Sequence, residues 1–352
     1  MRYSLPIEIQ NLRFYEHRQV FPLELGGSLP ELTIGYHTYG TLNGAADNII
    51  WVCHALTANS DVSDWWAGLF GAGNVLDPDK YFIVCANILG SCYGSTCARS
   101  ISPRTGKAYG TDFPAVTLRD MARAHDLLRR HLGIRSVDLC IGGSCGGHQV
   151  LEFAALTGDL CKRLVLLVCG ARESAWVIGT HEAQRLAIEA DPTWRDDDDR
   201  GGAAGLRAAR GAALLTYRTF QAYLDRQTDT GDKTNNLRAA TYIRYQGKKL
   251  ERRFYAQAYY ALTKALDTYH IGRGRGGIAA ALRALTMPTL IISIDSDLLI
   301  PPSQQRILAD NMPNAHLEVI SSPYGHDGFL LEFEKIKTVV GQFLGEETSH
   351  PV

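Results

Sequence analysis

The feature that most constrains this chain is the stretch IGGSCGG at residues 141–147, in which four glycines surround Ser144. A continuous apolar run, Val137–Gly143, precedes the serine, and a helical pattern, Cys145–Gly158, follows it. Glycine inside a regular element costs roughly 0.5–1 kcal/mol relative to alanine, so this density indicates a backbone too cramped for Cβ atoms. The pattern G-x-S-x-G between a strand and a helix is typical of a strained turn that lifts a serine hydroxyl above a sheet.

Further apolar runs predict the sheet itself. Short, nearly continuous apolar runs are typical of strands buried on both faces of a parallel sheet, and they occur at Asn48–Leu56, Tyr81–Leu89, Val137–Gly143, Arg163–Gly170, Pro288–Asp295 and His316–Pro323. Helical patterns occur at Thr117–Gly133, Cys145–Gly158 and Glu332–Gly345. The alternating residues Glu31–Leu42 indicate antiparallel strands near the start. The sequence therefore predicts an α/β fold with a mostly parallel, doubly wound sheet.

One region interrupts the alternation of strands and helices. From about Glu173 to Leu282 the chain contains helix-favouring stretches and no strong strand candidate. We predict a helical lid insertion, which divides the chain into a first core part (1–172), the insertion (173–283) and a second core part (284–352). Two segments, RDDDDR at Arg195–Arg200 and GRGRGG at Gly272–Gly277, are expected to be solvated loops, because charge runs are usually exposed.

Composition limits the classes of partner. The chain of 352 residues has a formal net charge of −1, which indicates no electrostatic affinity for nucleic acid or an anionic membrane. No apolar run approaches the roughly 18–20 residues that a membrane span needs. The eight cysteines lack the spacing of a disulfide scaffold or a zinc site, so we expect reduced thiols, no structural metal and a cytoplasmic location.

A serine hydroxyl is a weak nucleophile at neutral pH unless a base accepts its proton. In a sheet of this type an acid and then a histidine follow the serine, each just past the end of a strand. Asp295 and Asp297 follow the penultimate apolar run, and His326 follows the last one. We predict Ser144 as the nucleophile, His326 as the base and Asp297 as the orienting acid, with Asp295 as the alternative.

The tetrahedral intermediate of such a reaction requires backbone donors for its oxyanion. We expect these donors to be the amides of Cys145 and of Leu56, the latter in the loop Cys53–Ser60 that follows an early strand. Cys145 is also an alternative nucleophile, because a thiol at a helix N-terminus can be activated. However, a turn that points Ser144 outward should direct the next side chain inward.

With these residues in place, the chain resembles the homoserine O-acetyltransferase family of the α/β-hydrolase fold. The similarity runs from about Asn48 to Leu331, in segments that read like signatures of that family: CHALT, WWAGLFGAG, YFIVCANILGSCYGST, IGGSCGGHQ, YIRYQG and SPYGHDGFLLE. The resemblance gives Ser144, Asp297 and His326 the roles assigned above.

The resemblance also carries implications for substrates and assembly. It implies that Arg210 binds the α-carboxylate of an amino acid and that Tyr217 and Asp327 help to hold that amino acid. Ser144 would take an acyl group from acetyl-CoA or another acyl-CoA, a co-substrate rather than a tightly bound cofactor, and pass it to homoserine in methionine biosynthesis. A homodimer packed through the helical insertion is implied as well.

Three alternatives remain open at this point. The enzyme could transfer an acetyl or succinyl group to serine or another hydroxyl acceptor, or it could be an esterase of the same fold. A non-catalytic binding protein that retains the fold is the third alternative, which the presence of every predicted catalytic residue disfavours.

The chain departs from the pattern of that family near the predicted site. Cys145 and His148 stand where methionines are usual, GSTCARS at residues 94–100 replaces GSTGPSS, and Leu298 replaces a tryptophan. These departures leave the choice of acyl group and acceptor open. Arg99 could meet the distal carboxylate of a succinyl group, although we expect its side chain to be exposed.

Overall fold

A computed structural model describes residues 4–345 and has an eight-stranded sheet at its centre. The strands are β1 (Arg13–His17), β2 (Phe21–Pro22), β3 (Ser28–Leu29), β4 (Leu32–Tyr39), β5 (Ile49–Cys53), β6 (Phe82–Ala86), β7 (Val137–Gly143), β8 (Cys161–Leu167), β9 (Thr289–Ile294) and β10 (Ala315–Ile320). Their order in the sheet is β1-β4-β6-β5-β7-β8-β9-β10, while β2 and β3 pair separately.

The direction of the strands explains their composition. β4 pairs antiparallel with both of its neighbours, β1 and β6, and the remaining neighbours in the sheet pair in parallel. Every residue of β5 and of β9 is buried, because helices cover both faces of a parallel sheet. The predicted mostly parallel, doubly wound α/β sheet is confirmed, as is the antiparallel pairing predicted for Glu31–Leu42.

Helices cover the sheet and fill the long connection between β8 and β9. The α-helices of the described residues are α1 (Val62–Trp65), α2 (Leu118–His131), α3 (Cys145–Thr157), α4 (Ala175–Glu189), α5 (Ala203–Tyr217), α6 (Phe220–Gln227), α7 (Arg238–Glu251), α8 (Ala256–Asp267), α9 (Ile278–Arg283), α10 (Pro302–Asn311) and α11 (Phe333–Leu344). Within residues 4–345, none of them combines the length and the apolar character needed to cross a membrane.

The helical insertion leaves and rejoins the core at one place. Helices α4 to α9 all lie between β8 and β9, where the sequence predicts an insertion, although the division into domains stays a prediction. Glu173 N donates to Tyr269 O at 3.2 Å, and Ile271 N donates to Ala171 O at 2.9 Å. These bonds join residues 171–173 to residues 269–271, and we call the two segments together the neck of the insertion.

The acidic loop before α5 is mostly exposed, as expected of a charge run, but two of its carboxylates pair with Arg99, which corrects the expectation that this side chain is exposed. Arg99 donates to Asp199 at 2.9 Å and to Asp197 at 3.0 Å, and only 11% of its side chain is exposed. The cationic side chain attracts these carboxylates and holds the loop against the core. Because two carboxylates already balance its charge, Arg99 is poorly suited to bind a succinyl group.

The GRGRGG segment is also tied to the core, which corrects the expectation of a solvated loop there. Arg273 pairs with Glu24 at 3.0 Å, and Arg275 pairs with Glu152 at 2.7 Å. Glu152 lies on α3 and is almost completely buried. The pair of Arg275 with Glu152 connects the end of the insertion to the helix that follows Ser144.

Gly142 and Gly146, on either side of Ser144, lie where the neighbouring backbone leaves no room for a side chain. A Cβ atom on Gly146 would lie 2.1 Å from the carbonyl oxygen of Cys53, and one on Gly142 would lie 2.5 Å from the carbonyl oxygen of Gly146. β5, which ends at Cys53, is the sheet neighbour of β7. A side chain on Gly146 would therefore push the loop after β5 away from the serine turn.

We expect Gly146→Ala to destabilise the fold by about 2–3 kcal/mol, because its Cβ atom meets backbone rather than a movable side chain. Gly179→Ala is the matched control, since Gly179 also lies in a helix but has no atom within 4 Å of its Cβ position. The control should unfold at the wild-type temperature or slightly higher. Thermal unfolding of both variants checks this, and equal Tm values would contradict it.

Candidate active site

Ser144 lies in the turn between β7 and α3 with a backbone conformation that is rare for a residue with a side chain. Its φ is 56° and its ψ is −124°. Ser144 N donates to Leu167 O at 2.9 Å, and Ser144 O accepts from His148 N at 3.2 Å. Gly143 and Cys145 on either side are buried, whereas Ser144 is partly exposed. The turn therefore presents the serine hydroxyl at the carboxyl edge of the sheet.

His326 lies in a 3₁₀ turn after β10 and contacts both of its predicted partners. Its Nε2 lies 2.8 Å from Ser144 Oγ, and its Nδ1 lies 2.7 Å from Asp297 Oδ2. Burial lowers the pKa of His326, but the charge and hydrogen bond of Asp297 outweigh burial and raise it above its usual value. The carboxylate accepts a hydrogen bond from Nδ1–H, which leaves Nε2 as a base for the serine hydroxyl.

The two candidate acids after β9 have different surroundings. Asp297 is buried, and its Oδ1 accepts hydrogen bonds from the amides of Leu299 at 2.8 Å and Ile300 at 3.0 Å. Its second oxygen is thereby directed to His326. Asp295 is exposed and accepts a backbone hydrogen bond from the turn after β10 instead. Of the two acids, Asp297 is the one in position to orient the imidazole.

The amides of Leu56 and Cys145 remain the predicted oxyanion donors. Within the described part of the chain, the amides of Leu56 and Cys145 donate no hydrogen bond. Gln149 Nε2 donates to His54 O at 2.9 Å and so holds the loop of Leu56 against α3. Burial raises the pKa of the Cys145 thiol to about 12, which keeps the thiol protonated and makes it a poor nucleophile at neutral pH.

Arg210 and Tyr217 lie on the same helix, α5, and approach the histidine. The guanidinium carbon of Arg210 lies 5.4 Å from the centroid of the Tyr217 ring, and that ring lies 5.9 Å from the His326 ring. Among residues 4–345, no carboxylate pairs with Arg210. A partly buried guanidinium without a carboxylate partner is suited to bind a carboxylate ligand with two hydrogen bonds.

Asp327 is in the site but already has a cationic partner. Its Oδ2 accepts from Arg218 Nε at 2.8 Å, and the Arg218 guanidinium lies 5.5 Å from the Tyr242 ring centroid. A substrate ammonium would therefore share Asp327 with Arg218. Sequence reasoning missed Arg218, because no local spacing links the end of α5 with a loop more than 100 residues later.

Arg253 is a second residue that sequence reasoning missed. It donates to the carbonyl oxygen of Thr57, next to Leu56, and to the hydroxyl of Tyr93 at 2.6 Å. These bonds connect the insertion to the loop that carries a candidate oxyanion donor. No motif in the sequence indicated this contact.

Comparisons with known proteins agree with this arrangement. The sequence profile of a family described as the alpha/beta hydrolase fold matches residues 48–333. A homoserine O-acetyltransferase from Chlorobaculum parvum is 45% identical over 96% of this chain and 96% of its own length.

Solved structures show the same fold. A homoserine O-acetyltransferase from Bacillus anthracis matches with a TM-score of 0.89 at 23% identity, over 97% of this chain and 100% of that one. Esterase E22 matches with a TM-score of 0.85 at 23% identity, over 95% of this chain and 99% of that one. The α/β-hydrolase fold is confirmed, but the fold alone does not separate acyl transfer from ester hydrolysis.

We expect Asp297→Asn to slow the reaction of Ser144 with a fluorophosphonate probe by about 10³–10⁴-fold, because an amide favours the wrong tautomer of His326. Asp295→Asn makes the same chemical change two residues away and should react at the wild-type rate. Time courses of fluorescent labelling measure both variants. Equal slowing of the two would show that Asp297 has no special role.

Proposed function

Since this chain belongs to the homoserine O-acetyltransferase family of the α/β-hydrolase fold, we propose that it transfers an acetyl group from acetyl-CoA to L-homoserine, a step of methionine biosynthesis. The observation that carries this proposal is the Arg210 guanidinium, which stands beside Tyr217 at the catalytic histidine without a carboxylate partner among the described residues. Ester hydrolysis needs no such cation. An amino-acid acceptor, in contrast, has a carboxylate that the Arg210 guanidinium can bind.

The first half of the proposed reaction acylates Ser144. Its Oγ attacks the thioester carbonyl carbon while His326 Nε2 accepts the hydroxyl proton. The amides of Leu56 and Cys145 donate to the oxyanion of the tetrahedral intermediate. Collapse of this intermediate breaks the C–S bond, and the CoA thiolate leaves with the proton from His326.

The second half transfers the acyl group to the acceptor. The side-chain hydroxyl of homoserine gives its proton to His326 Nε2 and attacks the ester carbonyl of acyl-Ser144. The oxyanion uses the same two amides. Ser144 then leaves and recovers its proton from His326, so the enzyme returns to its starting state and an O-acyl amino acid is released.

Transfer requires that the acceptor hydroxyl reacts in place of water. In the proposal, Arg210 binds the α-carboxylate of the acceptor, while Asp327 and Tyr217 lie near its ammonium group. The insertion excludes water and fixes the acceptor, which converts a competition with bulk water into an oriented reaction.

We also propose that the protein forms a homodimer through the insertion. Large apolar side chains are exposed on or beside α5, α6 and α7, with Phe220 79% and Leu215 63% exposed. Apolar surface of this kind is typical of an interface between proteins. Sedimentation equilibrium of the purified chain would test the proposed dimer.

A reducing compartment fits the cysteines. All eight are buried and free, and such thiols persist in the cytoplasm. We therefore propose a cytoplasmic enzyme with small-molecule substrates.

The test of the function is the release of free thiol from acetyl-CoA, with and without homoserine. Release that depends on homoserine supports transfer, and release that is independent of any acceptor supports the esterase. Parallel assays with serine and with succinyl-CoA decide the acceptor and the acyl donor. If no thiol is released under any condition, the proposed function is wrong.

Arg210→Ala should raise the KM for homoserine by about 10–100-fold, because hydrogen bonds to charged groups contribute about 1.5–3 kcal/mol. The rate of the acceptor-dependent step should fall more than the rate of the acylation step. A burst of thiol release reports the acylation rate separately. Arg207→Ala is the matched control, since Arg207 lies one turn earlier on α5, is exposed and pairs with Glu251 at 3.0 Å. An equal rise in KM for both variants would contradict a carboxylate-binding role.

A further inference from the structure

Behind the serine turn, the neck of the insertion encloses a carboxyl and an imidazole that the proposed reaction does not use. Glu173 lies in the neck, and His148 lies on α3, four residues after Ser144. His148 Nδ1 is 3.4 Å from Glu173 Oε1, and the side chains are only 1% and 4% exposed. We call these two side chains the neck pair.

A hydrogen bond to Nε2 of His148 determines which ring nitrogen carries the proton. Gly170 N donates to His148 Nε2 at 3.1 Å, so Nε2 holds a lone pair and the neutral ring carries its proton on Nδ1. Burial lowers the pKa of His148 to about 3, so the ring is neutral near pH 7. The ring also stacks on Tyr269 in the neck, with centroids 4.3 Å apart. His148 is thus a neutral ring fixed by Gly170 and Tyr269, and its Nδ1 lies 3.4 Å from Glu173 Oε1 without a hydrogen-bond partner among the described residues.

Glu173 is enclosed by groups that disfavour its charge. Burial raises its pKa to about 8 and the charge of Asp267 adds to the rise, while a hydrogen bond from the Ser174 backbone opposes it. Other ionisable groups share these surroundings: Cys145 and His148 on α3, Cys169 after β8, His181 on α4, Asp267 on α8, and Tyr269 in the neck. Asp267 is itself paired with His181 at 2.7 Å and with the largely buried guanidinium of Arg185 on α4 at 2.6 Å. At neutral pH the Glu173 carboxyl is therefore mostly protonated.

We propose that Glu173, buried beside His148, is a positioning residue that keeps the region behind Ser144 uncharged while the oxyanion forms. This inference rests on the acyl-Ser144 mechanism proposed above. Loss of the Glu173 proton places a negative charge near Cys145, whose amide is a proposed oxyanion donor. Cys145 lies three residues before His148 on α3, and His148 is 3.4 Å from the Glu173 carboxyl. Burial raises the pKa of the Cys145 thiol, and the Glu173 charge adds to that rise. A negative charge there opposes the oxyanion and slows acylation.

The neck pair can be tested without any activity. Folding raises the pKa of Glu173 from 4.5 to about 8, so the folded state loses stability as pH rises through that range. Glu173→Gln cannot ionise and escapes this loss. Its Tm relative to wild type should therefore increase from pH 5 to pH 8 and level off above, whereas Glu334→Gln, an exposed carboxyl on α11, should show a constant difference.

The effect on the reaction is measured by the burst of acylation of Ser144 with p-nitrophenyl acetate, each variant being compared with its own rate at pH 7. The acylation rate of wild type and of Glu334→Gln should fall by about three- to tenfold between pH 7 and pH 9. The acylation rate of Glu173→Gln should not fall. His148→Met removes the polar N–H beside the carboxyl and so disfavours the charged form of Glu173. The decline in acylation rate should therefore move to higher pH.

The proposal would be overturned by a Tm difference between Glu173→Gln and wild type that does not change with pH. It would also be overturned if the acylation rate of Glu173→Gln declined above pH 8 as much as that of wild type. These outcomes are separable from a failure of the proposed function. If wild type shows no burst, the acyl-Ser144 mechanism is wrong, while the Tm series still reports whether Glu173 is buried as a neutral acid.

Discussion

The close approach of the Gly146 backbone to the carbonyl oxygen of Cys53 is the constraint on which the rest of the site depends. It joins the end of β5 to the start of α3 with no space for a Cβ atom. The serine hydroxyl, the helix N-terminus and the loop of Leu56 are thereby brought to one point at the carboxyl edge of the sheet. Loops after β9 and β10 then need only modest length to bring Asp297 and His326 to the same edge.

Much of this arrangement could be predicted from sequence because its signals are local. Buried parallel strands require continuous apolar runs, the cramped turn requires glycine, and the acid and histidine follow their strands directly. The pairs Arg218–Asp327, Arg99–Asp199 and Glu173–His148 could not be predicted. Each joins residues far apart in the chain, and a charged residue in a loop carries no mark of the partner that the fold brings to it. The expectation that Arg99 is exposed was wrong for this reason.

In the proposed reaction, the insertion rather than the triad makes the difference between transfer and hydrolysis. An esterase and an acyltransferase use the same nucleophile, base and oxyanion donors, and both occur on this fold. Arg210 and Tyr217 belong to α5, Arg253 ties the loop of Leu56 to the insertion, and the neck rests on the helix that follows Ser144. In the proposed reaction, a movement of the insertion would therefore change the proposed acceptor site and the proposed oxyanion site together.

The most direct test of the account is the mass of the protein and of its Ser144 peptide after brief mixing with acetyl-CoA, followed by acid quench. The account predicts one added acetyl group, located on Ser144, absent in Ser144→Ala and rapidly removed when homoserine is included before the quench. Turnover with homoserine but without any acetylated Ser144, or acetylation that persists when homoserine is present, would contradict the covalent mechanism.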